Sequence, residues 1–357
     1  MSKKISYAGV GVDRELRAES KKSLKRLKRT YEFSAYGEVL QLPYGNIFPL
    51  DDRYLDLAIE GVGTKVLLAQ LAEKHDTIGI DGVAMVVNDV IRSGAQPLAL
   101  ADNIHAQVSD PALVKEWLKG LANGAEESEC LVAGGEIGDV FDVIKGVKEG
   151  KGFDLVVACI GEVKKGHVIT GDKILSGDIV IGIRSSGIHS NGITLARKIL
   201  FKEWGGKFDP YEIPDGFDRG LIFEVLEPTR IYVKPIKTVN EQYQIKGAVH
   251  ITGDAYLKFR RLTEFSKGVG FEFTNFKPHP VFQLIQEIAT TSGGISDEEM
   301  FKTFNMGWGF AVVVSECDED DVLGVFDKVG FEAEVIGNVT DTGRIVAFHE
   351  DKKLMLN

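Results

Sequence analysis

The stretch Leu55-Asp56-Leu57-Ala58-Ile59-Glu60-Gly61-Val62-Gly63-Thr64-Lys65-Val66-Leu67-Leu68 decides the fold class. A short apolar run, Leu55–Ile59, stops at paired glycines and passes into a helical pattern through Val66, Leu67 and Leu71. A strand handed through a tight turn to a helix is the unit from which layered α/β chains are built. The alternation continues downstream. Thr77–Ile80 reads as a second strand ending at Asp81. Val83, Val86, Val87, Val90 and Ile91 then recur at i, i+3, i+4, i+7 and i+8, the buried stripe of a helix that Gly94 stops. Leu98–Ala101 reads as a third strand. Asp110 and Pro111 supply the N-cap and first-turn proline of a helix with Leu113, Val114, Trp117, Leu118 and Leu121 on one face. Cys130–Ala133 reads as a strand ending at Gly134-Gly135-Glu136, and Phe153–Ile160 as another.

Residues 162–177 are polar and without period, so a domain boundary is expected near 168, giving domains 1–167 and 168–357. The second half restarts with a strand, Ile179–Ile183, a polar loop Ser185–Gly192, and a helix through Leu195, Ile199 and Leu200. Pro280–Ala289 and the capping box Ser296…Glu299 mark later helices; Phe310–Val314 and Ala333–Val339 read as strands. The expected fold is α/β, with α+β layering, in two domains; the pattern leaves strand order open. At the front, residues 13–30 are rich in Lys and Arg with only Leu16, Leu24 and Leu27 apolar, a solvated helix.

Composition narrows the function. In 357 residues, 20 Phe and a 44% hydrophobic content can fill cores, which excludes general disorder. The longest apolar runs, such as Leu155–Ile160, fall far short of the roughly 20 residues a bilayer needs. Met-Ser-Lys-Lys-Ile-Ser has no apolar stretch behind it, so no secretory signal and a cytoplasmic location are expected. A net charge of −11 argues against nucleic-acid binding. Cys130, Cys159 and Cys317 form no CxxC and read as reduced thiols.

Three groups of residues carry chemistry. Glu60, Asp81 and Glu136 sit at expected strand ends, and Asn88 and Asp89 lie on the helix face opposite the valine stripe, with Met85 and Arg92. Mg²⁺ is held by such oxygens, usually with substrate phosphates; the same residues also read as unrelated surface acids and caps. Gly61-Val62-Gly63-Thr64-Lys65 resembles a small phosphate loop without the Walker spacing, and equally an ordinary strand-to-helix turn. Ser185–Gly192 offers hydroxyls, amides and His189, suited to wrapping an anion and to proton transfer, or merely to capping the next helix through Ser190 or Asn191. His105, His250 and His279 show no metal-ligand spacing, and Cys130 reads as a buried strand thiol.

These segments occur in order with Tyr7…Gly9-Val10-Gly11-Val12-Asp13, Gly94-Ala95-Gln96-Pro97, Pro228-Thr229-Arg230-Ile231-Tyr232-Val233-Lys234, His250-Ile251-Thr252-Gly253 and Thr303-Phe304-Asn305-Met306-Gly307. Together they resemble the phosphoribosylformylglycinamidine cyclo-ligase (AIR synthetase) family. The resemblance implies a homodimer of two-domain chains, the N-terminal sheets pairing across the dimer axis and the C-terminal domain an α/β sandwich-like unit. It implies an ATP- and Mg²⁺-dependent ring closure of formylglycinamidine ribonucleotide. Gly61, Gly63, Thr64, Lys65, Asp81, Asn88, Gly134 and Gly135 would then face ATP, and Glu60, Asp81, Asp89 and Glu136 the metal. Ser185, Ser186, Gly187, His189, Ser190, Asn191 and Asn305 would face the substrate, with Lys65 and His189 catalytic. The chain departs from the family at Glu60, usually Asp. It departs again at Ile137-Gly138-Asp139-Val140-Phe141, usually Thr-Ala-Glu-Met-Pro, and at Asp254–Arg261, where two glycines and Asn-Ile-Pro-Arg are usual. The last two departures leave open a paralogue that phosphorylates another small molecule, or a non-catalytic ATP-binding dimer.

Overall fold

The computed structural model describes residues 9, 11, 13–266, 268–291 and 295–356; Tyr7, Val10 and Val12 of the first motif lie outside them. The first domain carries α1 (Arg14–Lys21), α2 (Lys65–Ala72), α3 (Asp76–Val90) and α4 (Pro111–Glu127). The expected front helix is only half α: after Lys21 the chain tightens into 3₁₀ geometry over Lys22–Phe33, with no residue of either piece buried. The strands are β1 (Leu40–Gln41), β2 (Asn46–Leu50), β3 (Arg53–Gly61), β4 (Gln96–Ala106), β5 (Leu131–Asp139) and β6 (Phe153–Lys164). They form one sheet in the order β1-β2-β3-β6-β4-β5. Only β4 and β5 run parallel, joined by α4 as the crossover a parallel pair requires. Asp110 caps α4 as its sequence predicts, its carboxylate accepting from the Ala112 N–H.

Two expectations fail here. Thr77–Ile80 is not a strand but the first turns of α3, which starts at Asp76. The reason is burial on two sides. A Cβ on Gly79 would overlap the backbone of Trp117, Gly120 and Leu121 in α4, and one on Gly82 would meet Val157 of β6. A helix wedged between a sheet and another helix shows no polar face in its first turns, so its apolar run cannot be told from a strand. The second failure is at Gly134-Gly135-Glu136, which lies inside β5 rather than at a strand end.

Register fixes what each face of this sheet carries. Glu60, Val157, Asp102 and Gly135 are paired across β3, β6, β4 and β5, so they share the face on which α3 packs. Glu136 is one residue on and therefore on the opposite face. That outer face bears a second row, Leu57, Ile160, Ala99 and Leu131. Leu57, Ile59 and Leu131 are 59%, 66% and 64% exposed there, an apolar surface with no covering layer among the described residues of the single chain.

The second sheet comprises β7 (Ile179–Arg184), β8 (Gly247–His250), β9 (Gly270–Phe273), β10 (Trp308–Val314), β11 (Ala333–Thr340), β12 (Ile345–His349) and β13 (Lys352–Met355), in the order β13-β12-β9-β11-β7-β10-β8. Every residue of β10 is buried, so this sheet is covered on both faces. Its helices are α5 (Ile193–Leu200), α6 (Leu221–Val225), α7 (Val233–Gln242), α8 (Phe259–Phe265), α9 (Pro280–Thr291), α10 (Asp297–Thr303) and α11 (Glu319–Lys328). Ser296 caps α10 through the Glu299 N–H, one half of the expected box; the Glu299 carboxylate instead binds Arg14 at 2.9 Å. Among the described residues, no helix is long and apolar enough to cross a membrane.

Candidate active site

A crevice runs between the two domains and has two lobes that share Glu60, Met85 and Asn191. The first, about 220 Å³, is bounded by Gly61–Thr64 on one side and Ser190–Thr194 on the other. These are the chain entries of α2 and α5. Gly63 adopts φ +71°, which a glycine reaches without strain, and Gly192 adopts φ +79° directly before α5. Neither Ser190 nor Asn191 caps α5, contrary to the capping alternative. Two helix N-termini from different domains thus open on one small space, each with free N–H groups and the positive end of a helix dipole. Thr64 and Thr194 meet across it, hydroxyl to hydroxyl at 2.8 Å.

The second lobe, about 280 Å³, is lined by Asp89, Arg92, Lys258 and Arg261 together with Arg17 and Lys21 of α1. Burial disfavours ionisation of Asp89, but Arg92, His250 and Lys258 outweigh it and hold the carboxyl well below the usual range. Arg92 approaches it at 2.8 Å, as does Nδ1 of His250. Burial in turn depresses His250 to about 4 against the pull of Asp89. The neutral ring donates from Nδ1, which leaves Nε2 buried without a partner among the described residues. Desolvation and Asp89 raise the Glu60 carboxyl, and desolvation lowers Lys258 to about 8.

Several expected site residues have other work. Lys65 is fully buried, its ammonium donating to Asp81 at 2.9 Å and to the Glu227 carbonyl at 2.6 Å, so it does not line the crevice. Asp81 receives four bonds on Oδ1: from Lys65, from Ser190 at 3.0 Å, and from the Thr229 N–H and hydroxyl at 2.8 and 2.6 Å. Asn88 donates to the Arg230 carbonyl at 2.8 Å and accepts from the Tyr232 N–H at 2.9 Å. All three residues dock the segment 227–232 of the second domain onto the first. Asn305 holds the serine loop, donating to the Gly187 carbonyl at 2.8 Å and accepting from Ser185 at 3.2 Å. Ser186 donates to the Pro228 carbonyl. His189 is 1% exposed with φ +66°, and its Nε2 accepts from the Ser186 N–H at 3.2 Å. Burial, then nearby His250 and Lys65, keep it neutral. It pins the loop from inside and is not placed to shuttle protons in the crevice.

Gly134, Gly135 and Glu136 lie three strands from Glu60, so they do not join the crevice of their own chain. Of the expected residues, Glu60, Gly61, Gly63, Thr64, Asp89, Ser190 and Asn191 are brought together. Lys258 was not singled out as a site residue, although it lies shortly after His250-Ile251-Thr252-Gly253, and Arg92 was read only as part of the helix face that carries Asn88 and Asp89.

The donor set also bears on the metal. Among the described residues, no three His, Cys, Asp or Glu side chains gather as a metal site. Glu60 and Asp89 do face one lobe. This fits an ion ligated by phosphate and water with one or two carboxylates, the habit of Mg²⁺, and not a cage made by protein alone.

The fold and crevice define a two-domain α/β protein in which two helix N-termini, one from each domain, face one small space. Residues 45–163 match the pattern described as AIR synthase related protein, N-terminal domain, and residues 176–350 the C-terminal domain of the same description. A protein of Pyrococcus furiosus called phosphoribosylformylglycinamidine cyclo-ligase is 39% identical over 346 residues, covering 96% of this chain and 97% of that protein. One of the same name from Bacillus thuringiensis is 36% identical over 357 residues, covering 98% and 99%. Among solved structures, HypE in a HypE–HypF complex shares the fold with a TM-score of 0.62 at 17% identity, over 95% of this chain and 98% of that one. The chain belongs to the phosphoribosylformylglycinamidine cyclo-ligase family.

Proposed function

We propose that this chain closes the imidazole ring of formylglycinamidine ribonucleotide, converting it with ATP into 5-aminoimidazole ribonucleotide, ADP and phosphate. The observation that carries the reading is the convergence of the α2 and α5 N-termini on one lobe. An amide oxygen is a poor leaving group. Once it has accepted the γ-phosphoryl of ATP, the neighbouring amidine nitrogen attacks the same carbon, the ring closes and the carbon–oxygen bond breaks with departure of phosphate. The attack is intramolecular, so orientation supplies an effective molarity on the order of 10⁵ M or more.

The residues of the crevice suit these steps. Backbone N–H groups at Gly63–Thr64 and Gly192–Thr194, with the two helix dipoles, stabilise charge on the transferred phosphoryl. Asn191, which lines both lobes, would orient the substrate amide. Glu60 and Asp89 would hold Mg²⁺, which when bound neutralises phosphate charge. Asp81, Lys65 and Asn88 keep the domains at the spacing that makes the lobe. The uncovered outer face of the first sheet suits a homodimer, and the reaction suits the cytoplasm, where ATP is available.

The test is an assay of the purified chain with ATP, Mg²⁺ and formylglycinamidine ribonucleotide. ADP release that depends on the ribonucleotide and matches 5-aminoimidazole ribonucleotide formed is the expected result. Phosphate retained on the substrate would instead make it a small-molecule kinase, and nucleotide binding without turnover a non-catalytic ATP-binding dimer.

A further inference from the structure

The 3₁₀ segment Lys22–Phe33 lies along the β1 side of the first sheet and buries none of its residues. Three residues per turn stack positions i and i+3 directly above one another, which sorts the segment into three columns. The column Lys22, Lys25, Lys28 and Tyr31 faces the sheet. There Lys28 donates to Gln41 of β1 at 3.0 Å, and the Tyr31 hydroxyl accepts from Asn46 of β2 at 2.9 Å. The other two columns face away. One carries Leu24, Leu27, Thr30 and Phe33, the other Ser23, Arg26, Arg29 and Glu32, and the three apolar side chains are exposed. Five cations stand against one acid in this segment, in a chain of net charge −11. Lys22 reaches Glu19; among the described residues Lys25, Arg26, Lys28 and Arg29 have no carboxylate within ion-pair distance.

The opposite edge of the same sheet has the complementary character. β5 is last in the strand order, so among the described residues one of its sides pairs with no strand, and Leu131–Glu136 are exposed. Glu126 and Glu129, both exposed, stand just before it. A free strand edge bearing apolar side chains is a surface that another chain readily covers. The 3₁₀ segment cannot cover it within one chain, since β1 and β5 stand five strand spacings, about 24 Å, apart. The two nevertheless lie at the same height along the strands. Ile47 pairs with Asp56, which sets Asn46 level with Leu57, and Leu57, Ile160, Ala99 and Leu131 form one row.

Two such sheets packed outer face to outer face are related by a twofold axis that runs either across the strands or along them. An axis across the strands sets the 3₁₀ segment of one chain against that of its partner, and their cations repel. An axis along the strands keeps the height and exchanges the edges, so the segment meets β5 of the partner. We propose that Lys22–Phe33 of one chain lies along β5 of a second copy. Leu24, Leu27 and Phe33 then cover the partner's Leu131 and the partner's Val132, while Arg26 and Arg29 face the partner's Glu126 and the partner's Glu129. An anionic bilayer would attract this segment but repel the acidic remainder of the chain. The contact does not depend on the cyclo-ligase reading.

The dissociation constant of the dimer, read by sedimentation velocity over a dilution series of the full chain, tests the contact. Arg26→Glu with Arg29→Glu should raise it about tenfold or more. The circular dichroism spectrum should not change, since neither side chain is buried. Adding Glu126→Arg and Glu129→Arg to that chain should restore dimerisation, because the reversed charges can meet only between chains. Trypsin supplies a readout on the unsubstituted protein. Cleavage at Arg26 and Arg29 should be slow at concentrations where the dimer holds and fast where it dissociates. A chain monomeric throughout the series, an unchanged dissociation constant in the double variant, no restoration in the fourfold variant, or cleavage at a rate independent of concentration would each overturn the proposal. So would co-sedimentation with phosphatidylserine vesicles through Arg26 and Arg29 at an unchanged dissociation constant, which would assign the segment to a membrane surface.

Discussion

Two histidines at the domain junction are kept neutral by burial, and this gives the protein a definite response to acid. His250 is depressed to about 4 and His189 lies well below its usual value, so the folded state takes up no proton on either ring near pH 6. An unfolded chain protonates both below about 6.5. Stability therefore falls as pH drops from 6.5 toward 4, because the unfolded state then binds more protons than the native one. His250 alone contributes on the order of 3 kcal/mol to that loss. His250→Gln retains an amide donor for Asp89 and cannot be protonated. Thermal midpoints measured from pH 7 to pH 4 should fall less steeply in His250→Gln than in the parent. Parallel curves would mean that the ring is not held neutral. Lys65 and Asp81 belong to the same junction at greater cost, since removing one partner of a buried pair typically loses about 3–5 kcal/mol. Their placement makes them supports for the site, with no direct contact to the crevice.

At the scale of elements, the crossing of α3 and α4 sets how closely the site's frame is packed. Gly79 and Gly120 let the two backbones touch, and Gly82 lets α3 lie flush on β6. Gly79→Ala should lower the unfolding free energy by roughly 1–3 kcal/mol, as overpacking a tight contact does, read as a lower urea midpoint at unchanged slope. A variant as stable as the parent would mean that the helices stand apart. The same contact explains why part of the fold was legible in the sequence and part was not. Local signals survive: Asp110 with Pro111, Ser296 and the alternation that opens at Leu55 depend on near neighbours. Thr77–Ile80 misleads because a helix buried on two sides has no polar stripe to betray its period. The site shows the same division. Gly61–Thr64 and Ser190–Asn191 could be placed because a glycine turn before a helix is a local feature. The roles of Asp81 and Asn88 could not, since their partners at Thr229, Arg230 and Tyr232 lie more than 140 positions away. Glu136 was read as a strand end because two glycines precede it, whereas β5 runs on to Asp139 and lies three strands from Glu60.

At the scale of the whole molecule, the two faces of the first sheet divide the labour. One carries α3, Glu60 and the crevice; the other offers Leu57, Ile59 and Leu131 to solvent. Contiguous apolar surface of this kind, on a sheet whose opposite face is well packed, is the mark of an interface. A second copy of the chain can cover it by an isologous contact, the commonest arrangement for a soluble oligomer. We therefore expect the protein to run as a dimer in light-scattering chromatography, and Leu57→Lys with Leu131→Lys to run as a monomer with an unaltered circular dichroism spectrum. A wild-type monomer at micromolar concentration would refute the interface. The monomeric variant also decides whether the site is complete in one chain. Both helix N-termini that bound the glycine lobe come from a single chain, so an ATP analogue should bind the monomer with affinity close to that of the dimer. If binding is lost with the dimer, residues of the outer face, Glu136 foremost, must act in the crevice of the partner.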